Sequence, residues 1–122
     1  MKIAVTSTGQ TLDSQVDLRF GRAEFFIIVE IETMDFRVIE NSNVAAAGGA
    51  GISSAKVVID ASAEAVLTGN CGPNAERTLS AAGVGLYTGV AGTVAEAVEL
   101  FKSGKLTQAT GPNVQSHFGT AN

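Results

Sequence analysis

A single cysteine, Cys71, is all the thiol this sequence of 122 residues has, so no intramolecular disulfide can form, and a reducing compartment suits it best. Histidine is as scarce: His117 stands alone near the carboxyl end. With no nucleophile-elbow motif beside it, a Ser/His/Asp hydrolase is poorly supported. Basic residues number 8 against 12 acidic ones, a net charge of −4, too few to build the clustered Lys and Arg surface that nucleic acid demands. No apolar run approaches the roughly 20 residues needed to cross a bilayer. The opening Met1-Lys2-Ile3-Ala4-Val5-Thr6 turns polar too early for a signal peptide. The expected location is the cytoplasm, with neither membrane nor nucleic acid as partner. The stretch Lys2 to Thr8 also lacks Asp and Glu, so the paired carboxylates of a metal-dependent phosphoryl-transfer enzyme are missing from the first strand and its end.

What is present is apolar residue in quantity, 45 % of the chain, enough for one buried core and too much for disorder. The first part reads as β. Ile3 to Thr6 is a short apolar run. From Phe25 to Glu32 the residues Phe25, Ile27, Val29 and Ile31 line one face, while Phe26, Ile28, Glu30 and Glu32 line a second that is covered at its start and wet at its end. Thr33-Met34-Asp35 makes a tight turn, and Phe36 to Asn41 returns as the second arm of a hairpin.

Beyond Gly48-Gly49-Ala50-Gly51 helix and strand alternate. Ile52, Ala55 and Ile59 predict a first helix ending near Ala61, and Ala65-Val66-Leu67 a short buried strand. Pro73 suits the first turn of a second helix, with Ala75, Leu79 and Ala82 on its inner face and Gly83 as a left-handed cap. Val84 to Tyr87 is a further strand. Thr93 and Glu96 form a capping box for a third helix, with Val94, Ala97, Val98 and Phe101 inward and Gly104 closing it. The order is β-β-β-α-β-α-β-α, an α/β chain with a mixed five-stranded sheet and three helices. Residues 1–104 form the domain, and the polar, Gly-rich residues 105–122 read as a mobile or loosely docked tail.

In open α/β sheets ligands sit beyond the carboxyl ends of strands, where helix N-termini meet. Three helix starts here are bare: Gly48 to Gly51, Gly69 to Gly72 and Gly89 to Gly92. Unobstructed N–H groups and helix dipoles would attract an anion there, although such glycines equally serve tight strand-to-helix turns. Gly49, Gly51, Asn70, Gly72 and Gly92 are the candidate ligand-facing residues. Cys71, just before Gly72-Pro73, is a candidate metal ligand with an accessible thiol of lowered pKa; the competing reading is a small buried hydrophobe. His117 is a second candidate ligand, or an inert surface group. Arg19 and Arg22 could clamp an acidic ligand through bidentate bonds, or pair with Asp13, Asp17 or Glu24. One cysteine cannot hold an iron–sulfur cluster alone, but a cluster made elsewhere can be captured by one or two ligands.

Four ordered motifs carry a resemblance. Asp17-Leu18-Arg19-Phe20-Gly21-Arg22-Ala23, Gly48-Gly49-Ala50-Gly51-Ile52, Thr68-Gly69-Asn70-Cys71-Gly72-Pro73-Asn74-Ala75 and Gly83-Val84 to Tyr87-Thr88-Gly89 look like the dinitrogenase iron–molybdenum cofactor biosynthesis family. Its members are NifX-type proteins and the carboxyl-terminal domain of NifB-type proteins. Gly111-Pro112-Asn113-Val114 to His117-Phe118-Gly119 resembles the tail of stand-alone members. The resemblance implies a ribonuclease-H-like fold and a non-enzymatic role: binding or carrying iron–molybdenum cofactor, its iron–sulfur precursor or another iron–sulfur species, with cofactor-synthesis or acceptor proteins as partners. Many members place a histidine before Phe-Gly-Arg, where this chain has Arg19, so one candidate cluster ligand is missing. A non-catalytic interaction or regulatory module without a cluster is the alternative, and a phosphoryl-transfer enzyme rests on fold analogy alone.

Overall fold

A computed structural model describes residues 1–42 and 49–109. The elements are β1 (Lys2–Ser7), β2 (Phe25–Glu30), β3 (Phe36–Glu40), α1 (Ala50–Asp60), β4 (Ala65–Leu67), α2 (Pro73–Ala81), β5 (Gly85–Tyr87) and α3 (Val94–Lys102). They form one five-stranded sheet in the order β3-β2-β1-β4-β5. β1, β2 and β3 make an antiparallel meander, and β4 and β5 are added parallel to β1. This is the mixed five-stranded α/β sheet with three helices expected from the alternation of elements.

Period-two residues divide the core between the two faces of the sheet. Ala4, Phe26, Ile28, Val66 and Leu86 face α1 and α2, meeting Ala55, Val58, Ala75 and Leu79. Ile3, Val5, Ile27, Val29 and Leu67 face the other way, against Val94, Ala97 and Val98 of α3. The turn after β2 places Met34 at φ 64°, with Met34 N–H donating to the Glu30 carbonyl. Gly83 and Gly104 take the left-handed φ expected of caps. Ala82 corrects the expected inner face of α2: it is the exposed C-cap, because the helix ends at Ala81 before its next inward turn.

The three helices start differently. α3 carries the full capping box: Thr93 Oγ1 accepts from Glu96 N–H, and Glu96 accepts from Thr93 N–H. Thr93→Ala should therefore lower stability by about 1 kcal/mol, read as a shift in the denaturant midpoint. An unchanged midpoint would mean that the backbone carbonyls beside this terminus replace the cap. α1 and α2 begin at Gly49 and Gly72 with no side-chain cap.

Of residues 105–122, the described part meets the domain: Ala109 N–H donates to the Leu86 carbonyl at 2.7 Å, and Leu106 packs against the core cluster that includes Val94, Ala97 and Val98. Residues 110–122 lie outside the described residues, as do 43–48. Among the described residues no helix is long and apolar enough to cross a membrane.

Candidate functional site

The uncapped starts of α1 and α2 open into one crevice of about 350 Å³. Its walls are Gly49, Ala50, Gly51 and Ile52 of the first helix start and Gly72, Pro73, Asn74 and Ala75 of the second, with Gly21 and Arg22 at the side. The first-turn N–H groups of a helix have no intrahelical acceptor, and here no side chain caps them. Two positive dipole ends thus face one hollow, the arrangement that favours an anion.

Backbones touch to make this wall thin. A Cβ on Gly21 would lie 3.1 Å from Gly51 N, and one on Gly51 would lie 3.2 Å from the Ala75 Cβ. Gly72 is a different case: its φ of −79° suits any residue, and a Cβ there would meet nothing within 4 Å. Neither strain nor crowding requires glycine at 72, and any side chain there would stand on the crevice wall.

The segment 17–23 is held in place from several sides. Phe20 is buried against Phe26, with ring centroids 5.7 Å apart. Phe20 N–H donates to the Asn70 carbonyl, and Arg19 and Asn70 form a single parallel bridge. The buried Asp17 carboxylate accepts from Arg19 N–H at 3.1 Å and lies 3.5 Å from Arg19 Nε. Arg19 thus meets one of the acidic partners weighed from the sequence, leaving its side chain 64 % exposed beside the crevice rather than in its wall.

Of the expected site residues, Arg22, Gly49, Gly51 and Gly72 come together in the crevice. Arg19 and Asn70 pair next to it. Gly92 stands apart, because the start of α3 is occupied by the chain's own loop: Val94 N–H donates to the Ser14 carbonyl, Ala95 N–H to that of Leu12, and the Gly92 carbonyl accepts from Val16 N–H. The expectation that all three helix starts open on one site is corrected to two. His117 lies outside the described residues.

Cys71 corrects a second expectation. Its side chain is 1 % exposed in the core with Phe20, Phe26 and Leu79, not accessible at a helix start. Burial pushes its thiol up to about 12, and the nearby Glu76 carboxylate adds to the rise. The helix dipole is outweighed because the 17–23 segment covers the 69–72 loop and removes water from the sulfur. Among the described residues no three His, Cys, Asp or Glu side chains gather where they could hold a metal ion.

Sequence reasoning missed Asn74, which lines the crevice and whose Oδ1 accepts from Arg77 at 2.6 Å. The spacing of three residues at a helix start was the available signal.

Comparison with known proteins agrees with this architecture. The orange protein from Desulfovibrio gigas, solved in its apo form, is 40 % identical and superimposes with a TM-score of 0.90 over 92 % of this chain and 95 % of that one. The NMR structure of a candidate NifB protein from Thermotoga is 38 % identical with a TM-score of 0.77, covering 88 % of this chain and 91 % of that one. An uncharacterized protein from Methanocaldococcus jannaschii is 32 % identical over 109 residues, which is 87 % of this chain and 89 % of that protein. The family model of the dinitrogenase iron-molybdenum cofactor matches residues 1–104, and the chain belongs to that family.

Proposed function

We propose that this chain binds an anionic metal–sulfur cluster, iron–molybdenum cofactor or an iron–sulfur precursor of it, and carries it between cofactor-synthesis and acceptor proteins in the cytoplasm without catalysing a reaction. The observation that carries this reading is the convergence of two uncapped helix starts on one glycine-walled crevice in a chain of this family. The cluster is cargo. Backbone N–H groups and Arg22 would hold it by charge-assisted hydrogen bonds to its outer sulfides or its organic acid. Such a grip releases cargo more readily than a full set of thiolate ligands. Cys71, placed as it is, would ligate only if the 69–72 loop opened; under this reading His117 is the other candidate ligand. The kinship to the orange protein, which exists in an apo form, supports a ligand-bound state of the same fold.

Anaerobic purification followed by iron and molybdenum analysis, then titration with isolated iron–molybdenum cofactor, tests the reading. Stoichiometric uptake is expected. Arg22→Gln should weaken it by about 1.5–3 kcal/mol, the worth of a charge-assisted bond. Arg19→Gln should cost less, because Asp17 already engages that guanidinium. Metal-free protein that takes up no cofactor would sink the carrier reading and leave the non-catalytic interaction module.

A further inference from the structure

Two polar side chains in the core face the carbonyl just before Arg22. Asn41 is 2 % exposed and follows β3; Ser54 is fully buried on the second turn of α1. Asn41 Nδ2 donates to the Ala23 carbonyl at 2.7 Å and lies 3.4 Å from the Gly21 carbonyl and 3.3 Å from Ser54 Oγ. Ser54 Oγ donates to the same Gly21 carbonyl at 3.3 Å. Asn41 N–H donates to the Glu24 carbonyl. A polar pair of this depth costs stability unless its bonds are made, and an alanine at each position would make a simpler core. What the pair does here is fix carbonyls 21 and 23 from one side while the Gly21 backbone packs on Gly51 from another.

We propose that Asn41 and Ser54 are positioning residues for the crevice: by gripping the Gly21 and Ala23 carbonyls they hold the intervening Arg22 at its mouth. This rests on the carrier reading for its ligand, but the positioning itself is a property of the ligand-free protein. A trans peptide is rigid, so fixing the Gly21 carbonyl fixes the plane from which Arg22 departs. Because Ser54 belongs to α1 and Asn41 to the end of β3, the pair ties Arg22 to the helix whose start forms half of the crevice. A distance set this way stays constant when the exposed loop moves, and pre-organised donors bind more tightly than donors that must first be ordered.

The experiment has two arms on the full chain. In the first, amide hydrogen exchange at Gly21, Arg22 and Ala23 is followed in ligand-free wild type and in Ser54→Ala, the milder variant, with Asn41→Ser alongside. Faster exchange confined to residues 19–24, with the sheet amides unchanged, is expected; uniform acceleration or none overturns the proposal. In the second, isolated iron–molybdenum cofactor is titrated into wild type, Ser54→Ala, Arg22→Gln and the double variant. Ser54→Ala should weaken binding about three- to tenfold, the worth of one neutral hydrogen bond, and should add nothing in the Arg22→Gln background. Equal losses in both backgrounds would show a general structural role and overturn it. If wild type binds no cofactor, the carrier reading fails and the ligand half of the proposal falls with it, while the exchange arm still decides whether the pair orders the segment.

Discussion

Iodoacetamide added to the native protein at pH 8 is expected to leave Cys71 almost unmodified, whereas the urea-unfolded chain reacts at the rate of an ordinary thiol. The thiolate is the reacting form. A pKa raised from 9.0 to about 12 lowers its native population about a thousandfold, before the physical cover of the core is counted. The same shift gives a pH dependence of stability. Below pH 9 the thiol is protonated in both folded and unfolded chains, and its contribution is fully present. Between pH 9 and 12 the unfolded chain ionises while the folded one does not, so stability is lost as pH rises, by up to about 4 kcal/mol. Chemical denaturation of wild type and Cys71→Ala across that interval measures it: the variant lacks this part of the alkaline loss. Native alkylation as fast as that of the unfolded chain would overturn the buried placement and restore Cys71 as an accessible metal ligand.

The second large effect separates two glycines three residues apart. A Cβ on Gly69 would fall 2.7 Å from Leu18 Cα and 2.8 Å from the Leu18 carbonyl oxygen, backbone that cannot turn aside as a side chain does. Gly69→Ala therefore has to push residues 17–20 off the 69–72 loop, straining the bond from Phe20 N–H to Asn70 and the seat of Phe20. A loss of about 1–3 kcal/mol is expected from such overpacking, together with weakened cofactor uptake. Gly72→Ala meets open space at an ordinary φ and should stay within about 1 kcal/mol of wild type, the difference between glycine and alanine at a helix start. Its effect should fall on uptake, because the methyl stands on the crevice wall. Thermal melts and cofactor titrations on both variants check the contrast, and equal melting losses would refute it.

Local periodicity made most of the fold legible. The alternation from Phe25 to Val29 specified a strand buried on both faces, and Thr93 with Glu96 marked the start of α3 to the residue. Half of the site was legible too, since Gly49, Gly51 and Gly72 announced bare helix starts and Arg22 a cation nearby. What escaped was decided by contacts distant along the chain. Cys71 is buried because residues 17–23 lie over it, and the start of α3 is blocked because carbonyls 12 and 14 reach it. Asn41 and Ser54 lie thirteen residues apart in no shared motif; only the fold brings both to the Gly21 carbonyl.

The position of β1 at the centre of the sheet orders the events of folding. On one side it pairs with β2, Lys2 opposite Glu30, a partner already made when the first 42 residues exist. On its other side Ile3 waits for Ala65, whose parallel pairing closes about 60 residues of chain at a correspondingly larger entropic cost. During synthesis the meander of β1, β2 and β3 can therefore assemble first, with the central edge of β1 open and apolar until α1 and β4 emerge from the ribosome. That interval, rather than the finished molecule, is when the chain most resembles an aggregation-prone sheet. The crevice is made only after it ends, since α1 and α2 flank the strand that closes it.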